Sequence, residues 1–278
     1  MSILVFTIIV LFGSYFAGLL GSLTGLGGGV VIIPLLTLLL NVDIHYAIGA
    51  SLVSVIATSS GSAAAYVKEG ITNLRLGMFL EIATTAGAMC GAIIAVYIPT
   101  HYIAILFGVI LICSALLSLR KKAEHITHQK SYLAEKLKLS GSYPTSTGTV
   151  EYGISRVGGG FFMMLFAGAI SGLLGIGSGA LKVVAMDTIM RIPFKVSTTT
   201  SNFMIGVTAS ASAVVYLQRG YISPGLVMPV VIGVLLGALT GSKILVNTTS
   251  SGWLRWVFAI VVTFLASQMI YNGITGRI

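Results

Sequence analysis

The sequence predicts an all-α polytopic membrane protein made of two inverted five-segment repeats, each with a short helix broken off by glycines. Three observations predict it. The chain of 278 residues has only 8% charged residues and a mean hydropathy of +1.00, whereas a soluble domain would carry about 25% charged residues. Residues 16–91 lie over 166–241 without a gap at an offset of 150, with 20 of 76 positions identical and seven of the twelve glycines of the first copy recurring. Dense glycine clusters fall at matching places in both copies, Gly25-Leu26-Gly27-Gly28-Gly29 and Gly175-Ile176-Gly177-Ser178-Gly179. A duplicated apolar unit with matched glycine breaks is the sequence form of a membrane protein built from two repeats.

The apolar segments run over 3–23, 29–41, 44–66, 75–98 and 101–119, then over 158–175, 179–191, 196–217, 224–246 and 253–273. Most reach the roughly 20 residues needed to cross a hydrocarbon core of about 30 Å. The second segment of each set is too short and follows directly on a glycine cluster. Residues 1–119 therefore form a first transmembrane repeat and 158–278 a second. The first segment lacks a basic leader region, and its end has an internal copy at 166–173, so it is expected to be retained rather than cleaved.

The segment 120–157 joins the halves. Seven of the sixteen basic residues lie between Arg120 and Arg156, which marks a cytoplasmic connection. Within it, 126–139 has the spacing of a short amphipathic helix, and 141–148 reads as a flexible, turn-rich stretch. With five crossings per half the copies point in opposite directions and the N-terminus lies outside; Lys68, Arg75, Arg191 and Lys195 fall inside and Asp43 outside, with Arg219 and Arg277 as the exceptions. Re-entrant short segments would make the copies parallel and put Arg191 and Lys195 outside; the charge bias fits the inverted arrangement better. The net charge of +9 is this loop bias, and no basic surface interleaved with aromatics supports nucleic-acid binding.

Several chemistries lack their residues. No HExxH, no P-loop Gly-Lys-Ser and no Gly-x-Ser-Gly nucleophile motif occurs, which argues against an enzyme and against ATP-driven transport by this chain alone. Cys90 and Cys113 show no CxxC spacing, and His125 and His128 have no third ligand nearby. No metal or other cofactor is expected.

The residues that could carry function are these. The start of a helix leaves backbone N–H groups without partners and carries partial positive charge. Two such starts meeting in the bilayer would hold an anion without a permanent charge. Gly25, Gly27, Gly28 and Gly29 form one such break, and Gly175, Gly177, Ser178 and Gly179 the other. Gly87-x-x-x-Gly91 and Gly237-x-x-x-Gly241 have instead the spacing of close helix contacts. Ser51, with Ser201 and Asn202 at and beside the equivalent position, could complete the coordination of an oxyanion, or could bond helix backbone. Charges within apolar segments are few. Lys182, three residues past Gly179, could contact an anion, snorkel, or pair with Asp187 or Glu81. Glu81 aligns with Val231, breaks the repeat symmetry, and is a candidate proton carrier.

The pattern resembles the TauE/SafE family of sulfite exporter-like membrane transporters. The resemblance is carried by Gly18-Leu-Leu-Gly-Ser-Leu-Thr-Gly-Leu-Gly-Gly-Gly29 with Pro34, by Ala47-Ile-Gly-Ala-Ser51, and by the second copy Gly168-Ala-Ile-Ser-Gly-Leu-Leu-Gly-Ile-Gly-Ser-Gly179. It implies transport of a small sulfur-containing anion, sulfite or an organosulfonate, across a prokaryotic inner membrane, with coupling to an ion gradient and alternating access. A passive anion channel and a membrane scaffold are the rival readings. The second copy lacks the proline found at Pro34 and has Lys182 in place of Ile32. The expected partners are the small anion and the lipid bilayer, and homo-oligomer formation is compatible with the sequence.

Overall fold

The computed structural model describes residues 3–24, 28–68, 70–119, 131–145, 148–247 and 252–277. The first half contains α1 (Ile3–Thr24), α2 (Gly29–Pro34) running into a π turn (Leu35–Leu39), α3 (Ile44–Lys68), α4 (Leu74–Tyr97) and α5 (Thr100–Leu119). The connection carries α6 (Tyr132–Lys136) and strands β1 (Gly141–Thr145) and β2 (Gly148–Tyr152). The second half repeats the order with α7 (Val157–Leu174), α8 (Gly179–Val184) and its π turn (Ala185–Ile189), α9 (Phe194–Gln218), α10 (Pro224–Asn247) and α11 (Gly252–Ile274). Among the described residues, six helices are long and apolar enough to cross a membrane: those containing Leu4–Gly21, Ile44–Gly61, Leu74–Tyr97, Val157–Leu174, Phe194–Gln218 and Pro224–Gly241. Their outer faces leave Phe12, Phe16, Ile82, Phe162, Phe166 and Leu239 exposed, an apolar surface suited to lipid.

The halves interlock through swapped partners. α1 packs on α10 and α4 on α7, which are the equivalent pair, while α3 meets α9 and α5 meets α11. Glycine decides the first two contacts. A Cβ on Gly87, Gly91, Gly168 or Gly172 would strike the backbone carbonyl of Leu165, Ala169, Thr84 or Ala88 across the α4–α7 seam. At the α1–α10 seam, Gly18 meets Val234, and Gly233 and Gly237 meet the Leu11 and Tyr15 carbonyls. The packing role read for Gly87, Gly91 and Gly237 is thus the observed one.

The registers give directions. Gly87 lies by Leu165 and Gly91 by Ala169, so α4 and α7 run parallel; Gly233 by Leu11 and Gly237 by Tyr15 make α10 and α1 parallel. By contrast Gly49 lies by Tyr221 and Gly206 by Ser59, and Gly108 lies by Ala266 and Ile270 while Gly273 lies by His101 and Ile105. α3 and α9 are therefore antiparallel, as are α5 and α11.

One end of the bundle gathers the start of α3, the end of α4 and the α9–α10 turn. There His45 bonds Asp43 Oδ1 (3.1 Å) and the Ala95 carbonyl (3.2 Å) and stacks on Tyr221. The His45 hydrogen bond holds the Asp43 carboxyl below its usual range. The opposite end carries the connection, with Arg75, Lys136, Lys138, Arg156, Arg191 and Lys195 around it.

The connection corrects two expectations. Only Tyr132–Lys136 is helical within 126–139, and 126–130 lie outside the described residues. The stretch read as flexible is an antiparallel hairpin, with Gly141 opposite Tyr152 and Tyr143 opposite Val150. Its turn-formers mark the strand ends, while alternation turns Tyr143 and Tyr152 into a small core with Ala134, Leu139 and Ile154. Asn73 fastens that unit to the bundle. Its N–H donates to Thr200 Oγ1 (3.1 Å), and its Nδ2 donates to the Leu139 carbonyl and to Tyr152 Oη (both 2.8 Å). Its Oδ1 caps α4 by accepting the Leu76 N–H (3.0 Å).

Candidate functional site

Each short helix with its π turn spans eleven residues, Gly29–Leu39 in the first copy, a rise of roughly 16 Å, about half the hydrocarbon thickness. The two copies end alike. Asn41 and Arg191, equivalent positions, take left-handed conformations (φ 51° and 55°), and the next residues, Val42 and Ile192, donate to the Leu36 and Met186 carbonyls. The widened turn follows Pro34 in one copy and Val184 in the other. Proline is therefore not its cause. π turns of this kind recur at functional sites.

The breaks meet inside the bundle. Gly28 lies beside Ala17 and Val234 in the middle of α1 and α10. A Cβ on Gly29 would lie 2.5 Å from Ser51 Oγ and 3.3 Å from the Gly175 carbonyl of the other repeat. Val55 packs against both Gly29 and Gly177, and its equivalent Ile205 against Gly177 and Gly179. These two side chains occupy the space that larger residues at the breaks would need, a role that their spacing along the chain does not signal. Gly175 and Gly177 have φ of +67° and +72°, which glycine adopts without strain. Ser178 holds a left-handed φ of 43° where Gly28 is right-handed at −68°. A non-glycine residue held there stores of order 1 kcal/mol or more, a feature that clusters at ligand sites.

The predicted site residues divide into three groups. Gly25 and Gly27 lie outside the described residues. Gly28, Gly29, Gly175, Gly177, Ser178 and Gly179 come together as the two breaks, with Ser51 and Ser201 against them. Ser51 Oγ donates to the Gly175 carbonyl at 2.8 Å, and Ser201 Oγ donates to the Gly179 carbonyl at 3.3 Å. Both hydroxyl protons thus brace the breaks from α3 and α9. Asn202 is half-buried on α9 beside Ser201. Lys182 and Glu81 form a separate cluster with Thr208. Lys182 Nζ donates to Thr208 Oγ1 (2.5 Å), which donates to Glu81 Oε1 (2.7 Å).

Between the breaks lies a cleft lined by Val30 of α2, Ile110 and Ser114 of α5, and Ser178, Gly179 and Leu181. Its volume is ≈ 10 Å³, room for about one water. Ser178 is buried, and its Oγ has no hydrogen-bond partner among the described residues; neither has Ser171 Oγ. An orphaned hydroxyl beside helix-start amides is a polar group awaiting a ligand or a water. Ser114 was not legible in the sequence because α5 carries no repeat-matched motif. Thr208 matches Thr58 of the first copy, but its link between two charges belongs to the tertiary structure alone.

The fold is that of a polytopic membrane protein. Residues 10–269 match the family described as sulfite exporter TauE/SafE, and the chain belongs to that family. It is similar to the "Probable membrane transporter protein YunE" of Bacillus subtilis (strain 168), 30% identical over 97% of this chain and 98% of that protein. It is also similar to the "Probable membrane transporter protein YdhB" of the same organism, 27% identical over 82% of this chain and 86% of that one. A "Probable membrane transporter protein" of Xylella fastidiosa (strain 9a5c) is 26% identical over 96% of both chains. No solved structure matches the chain.

Proposed function

We propose that the protein is a secondary transporter of a small sulfur-containing anion, sulfite or an organosulfonate, across the prokaryotic inner membrane. The observation that carries this reading is the meeting of two helix breaks from opposite repeats, Gly29 against the Gly175 carbonyl, beside the unpartnered hydroxyl of Ser178. The anion's oxygens take hydrogen bonds from first-turn amides at Gly28–Gly29 and Ser178–Gly179 and from Ser178 Oγ. Ser51 and Ser201 hold the breaks in place, with Asn202 at the rim. Lys182 supplies positive charge close by, and Glu81 carries the coupling proton.

The antiparallel course of α3 with α9 and of α5 with α11 supports inverted repeats, since parallel repeats would align equivalent helices. The six basic residues at the end of the bundle that bears the connection, against Arg219, Arg277 and Asp43 at the other, support a cytoplasmic connection. A cleft of one water's volume must widen to admit a tetrahedral or pyramidal oxyanion. Rocking of one repeat against the other widens it towards each side in turn.

The experiment is flux of sulfite and of alkanesulfonates into proteoliposomes, with and without a pH gradient, for the native protein and for Ser178→Ala. Native flux that responds to the gradient, and a higher KM in Ser178→Ala, is the expected result. Flux indifferent to the gradient would make the protein a channel. Absence of flux for every anion from monodisperse protein would leave the scaffold reading.

A further inference from the structure

Lys182 is fully buried and Glu81 nearly so, and both stand on elements of different repeats, α4 of the first and α8 of the second. Thr208 of α9 joins them, accepting from Lys182 Nζ and donating to Glu81 Oε1. Thr85 Oγ1 donates to the same carboxylate oxygen at 3.0 Å. The second oxygen, Glu81 Oε2, is buried and has no hydrogen-bond partner among the described residues. A carboxylate so arranged keeps one oxygen free to accept a proton.

The duplication supplies an internal control. The equivalents of Lys182, Thr208 and Glu81 are Ile32, Thr58 and Val231. Ile32 is fully buried, and Val231 packs against the same core. One corner of the protein thus closes with aliphatic side chains where its counterpart holds opposite charges. Packing does not require the charges, because aliphatic residues of similar volume stabilise such a position at least as well as a buried ion pair. The lysine of the pair stands on α8, the short helix whose break carries the orphaned Ser178 hydroxyl.

We propose that Glu81 and Lys182 are the coupling switch: a proton bound by Glu81 releases Lys182 to neutralise one substrate anion at the Ser178–Gly179 break. The proposal rests on the anion-transport reading above and adds its stoichiometry. In the empty protein the carboxylate and the ammonium cancel. A monoanion entering alone would leave the core with an uncompensated charge, which a low-dielectric interior opposes strongly. A proton taken from water on one side forms an O–H bond at Oε2, and no bond in the protein breaks. The acid is then neutral, Lys182 remains an ammonium, and the anion balances it. Lys182 stands three residues past Gly179, and its flexible four-carbon stem lets the ammonium turn from Thr208 towards the break. On the far side the anion leaves, the proton returns to water, and the pair re-forms. One proton and one monoanion move in the same direction with no net charge. The combined gradients of the two set that direction.

The other titratable or charged groups on the packed elements are Arg75 and the exposed Cys90 and Tyr97 on α4, His101, Tyr102 and Cys113 on α5, Asp187 on the second π turn, and Lys195 and Tyr216 on α9. α7 contributes none. Arg75, His101, Tyr102 and Lys195 lie in the first turns of their helices, and Cys113 is exposed. Tyr216 Oη donates to the Gly172 and Leu173 carbonyls, and Asp187 makes contacts of its own.

The test uses methanesulfonate, which is fully ionised and brings no proton itself. Purified protein in weakly buffered detergent is titrated with it in the presence of a pH indicator. The native protein should take up one proton per anion, and its Kd should rise about tenfold per pH unit once Glu81 is ionised in the empty state. Glu81→Gln should bind with no proton uptake and a Kd indifferent to pH. A thermal-unfolding cycle without ligand reads the pairing independently. Glu81→Gln and Lys182→Met should each lower Tm by several degrees, and the double variant should recover most of the loss. Binding without proton uptake, or pH-dependent binding retained in Glu81→Gln, overturns the switch while leaving anion transport standing. Native protein that binds neither methanesulfonate nor sulfite overturns the transport reading and the switch with it. A double variant no more stable than the singles overturns the pairing.

Discussion

Gly172 and Gly158 stand on the same helix, α7, and alanine at each should change stability in opposite directions. Around Gly158 no heavy atom lies within 4 Å of the added Cβ, so the change only removes backbone freedom from the unfolded chain. The expected gain is a few tenths to about 1 kcal/mol. At Gly172 the same Cβ lands on the Ala88 carbonyl oxygen, with Ala88 C at 2.7 Å and Cα at 2.9 Å, where ordinary contact begins at 3.4 Å. These atoms are backbone and cannot rotate away. α4 and α7 must separate, and the neighbouring contacts of Gly168 with Thr84 and Gly87 with Leu165 loosen together. Overpacking of this kind costs about 1–3 kcal/mol. Set against the propensity gain, the two variants should differ by about 2 kcal/mol, a Tm gap of roughly 4–8 °C. Thermal unfolding in detergent, followed by circular dichroism, reads it. A Tm for Gly172→Ala equal to or above that of Gly158→Ala would show that the seam is not closed by glycine and would undo the packing argument for both α4–α7 and α1–α10.

Three further outcomes are expected. Ser178→Gly, which restores the residue found at Gly28, should raise stability by about 1 kcal/mol through release of the left-handed strain, while loss of the hydroxyl weakens sulfite binding by roughly two- to tenfold; a calorimetric Kd that does not change would remove Ser178 from the site. Asn73→Ala takes away the α4 cap and the two hydrogen bonds donated by Nδ2 and should cost roughly 2–4 kcal/mol, with faster amide exchange across 141–152, so unchanged exchange there would contradict its fastening role. Burial pushes the Tyr152 hydroxyl up to about 12 from an unfolded value near 10; its contribution to the hairpin is complete below about pH 10 and is lost as pH rises through 12. Ultraviolet tyrosinate absorbance should show a late step that shrinks by one tyrosine in Tyr152→Phe, and a late step of equal size in the two proteins would show that Tyr152 is not buried.

Much of this architecture is legible in the amino acids. Low charge density excludes a soluble globule, and glycines recurring at an offset of 150 locate both breaks and both helix seams before any coordinates exist. The reason is that glycine's effect is local: it removes a side chain where backbone must approach backbone, and it allows φ values that other residues resist. The hairpin was not legible, because its turn-forming residues mask a two-residue alternation only five residues long per strand.

The sequence by itself determined that this chain lies in a membrane, that it is doubled, and where each half is interrupted. Those properties follow from composition and from spacing along the chain. Only the tertiary structure decided that Ser51 and Ser201 direct their protons to the glycine carbonyls, and that Val55 and Ile205 fill the breaks. It also decided that Glu81 and Lys182, 101 residues apart in number, share Thr208. Their meeting depends on how α4, α8 and α9 cross, and that crossing is set by the glycine seams acting together rather than by any segment alone.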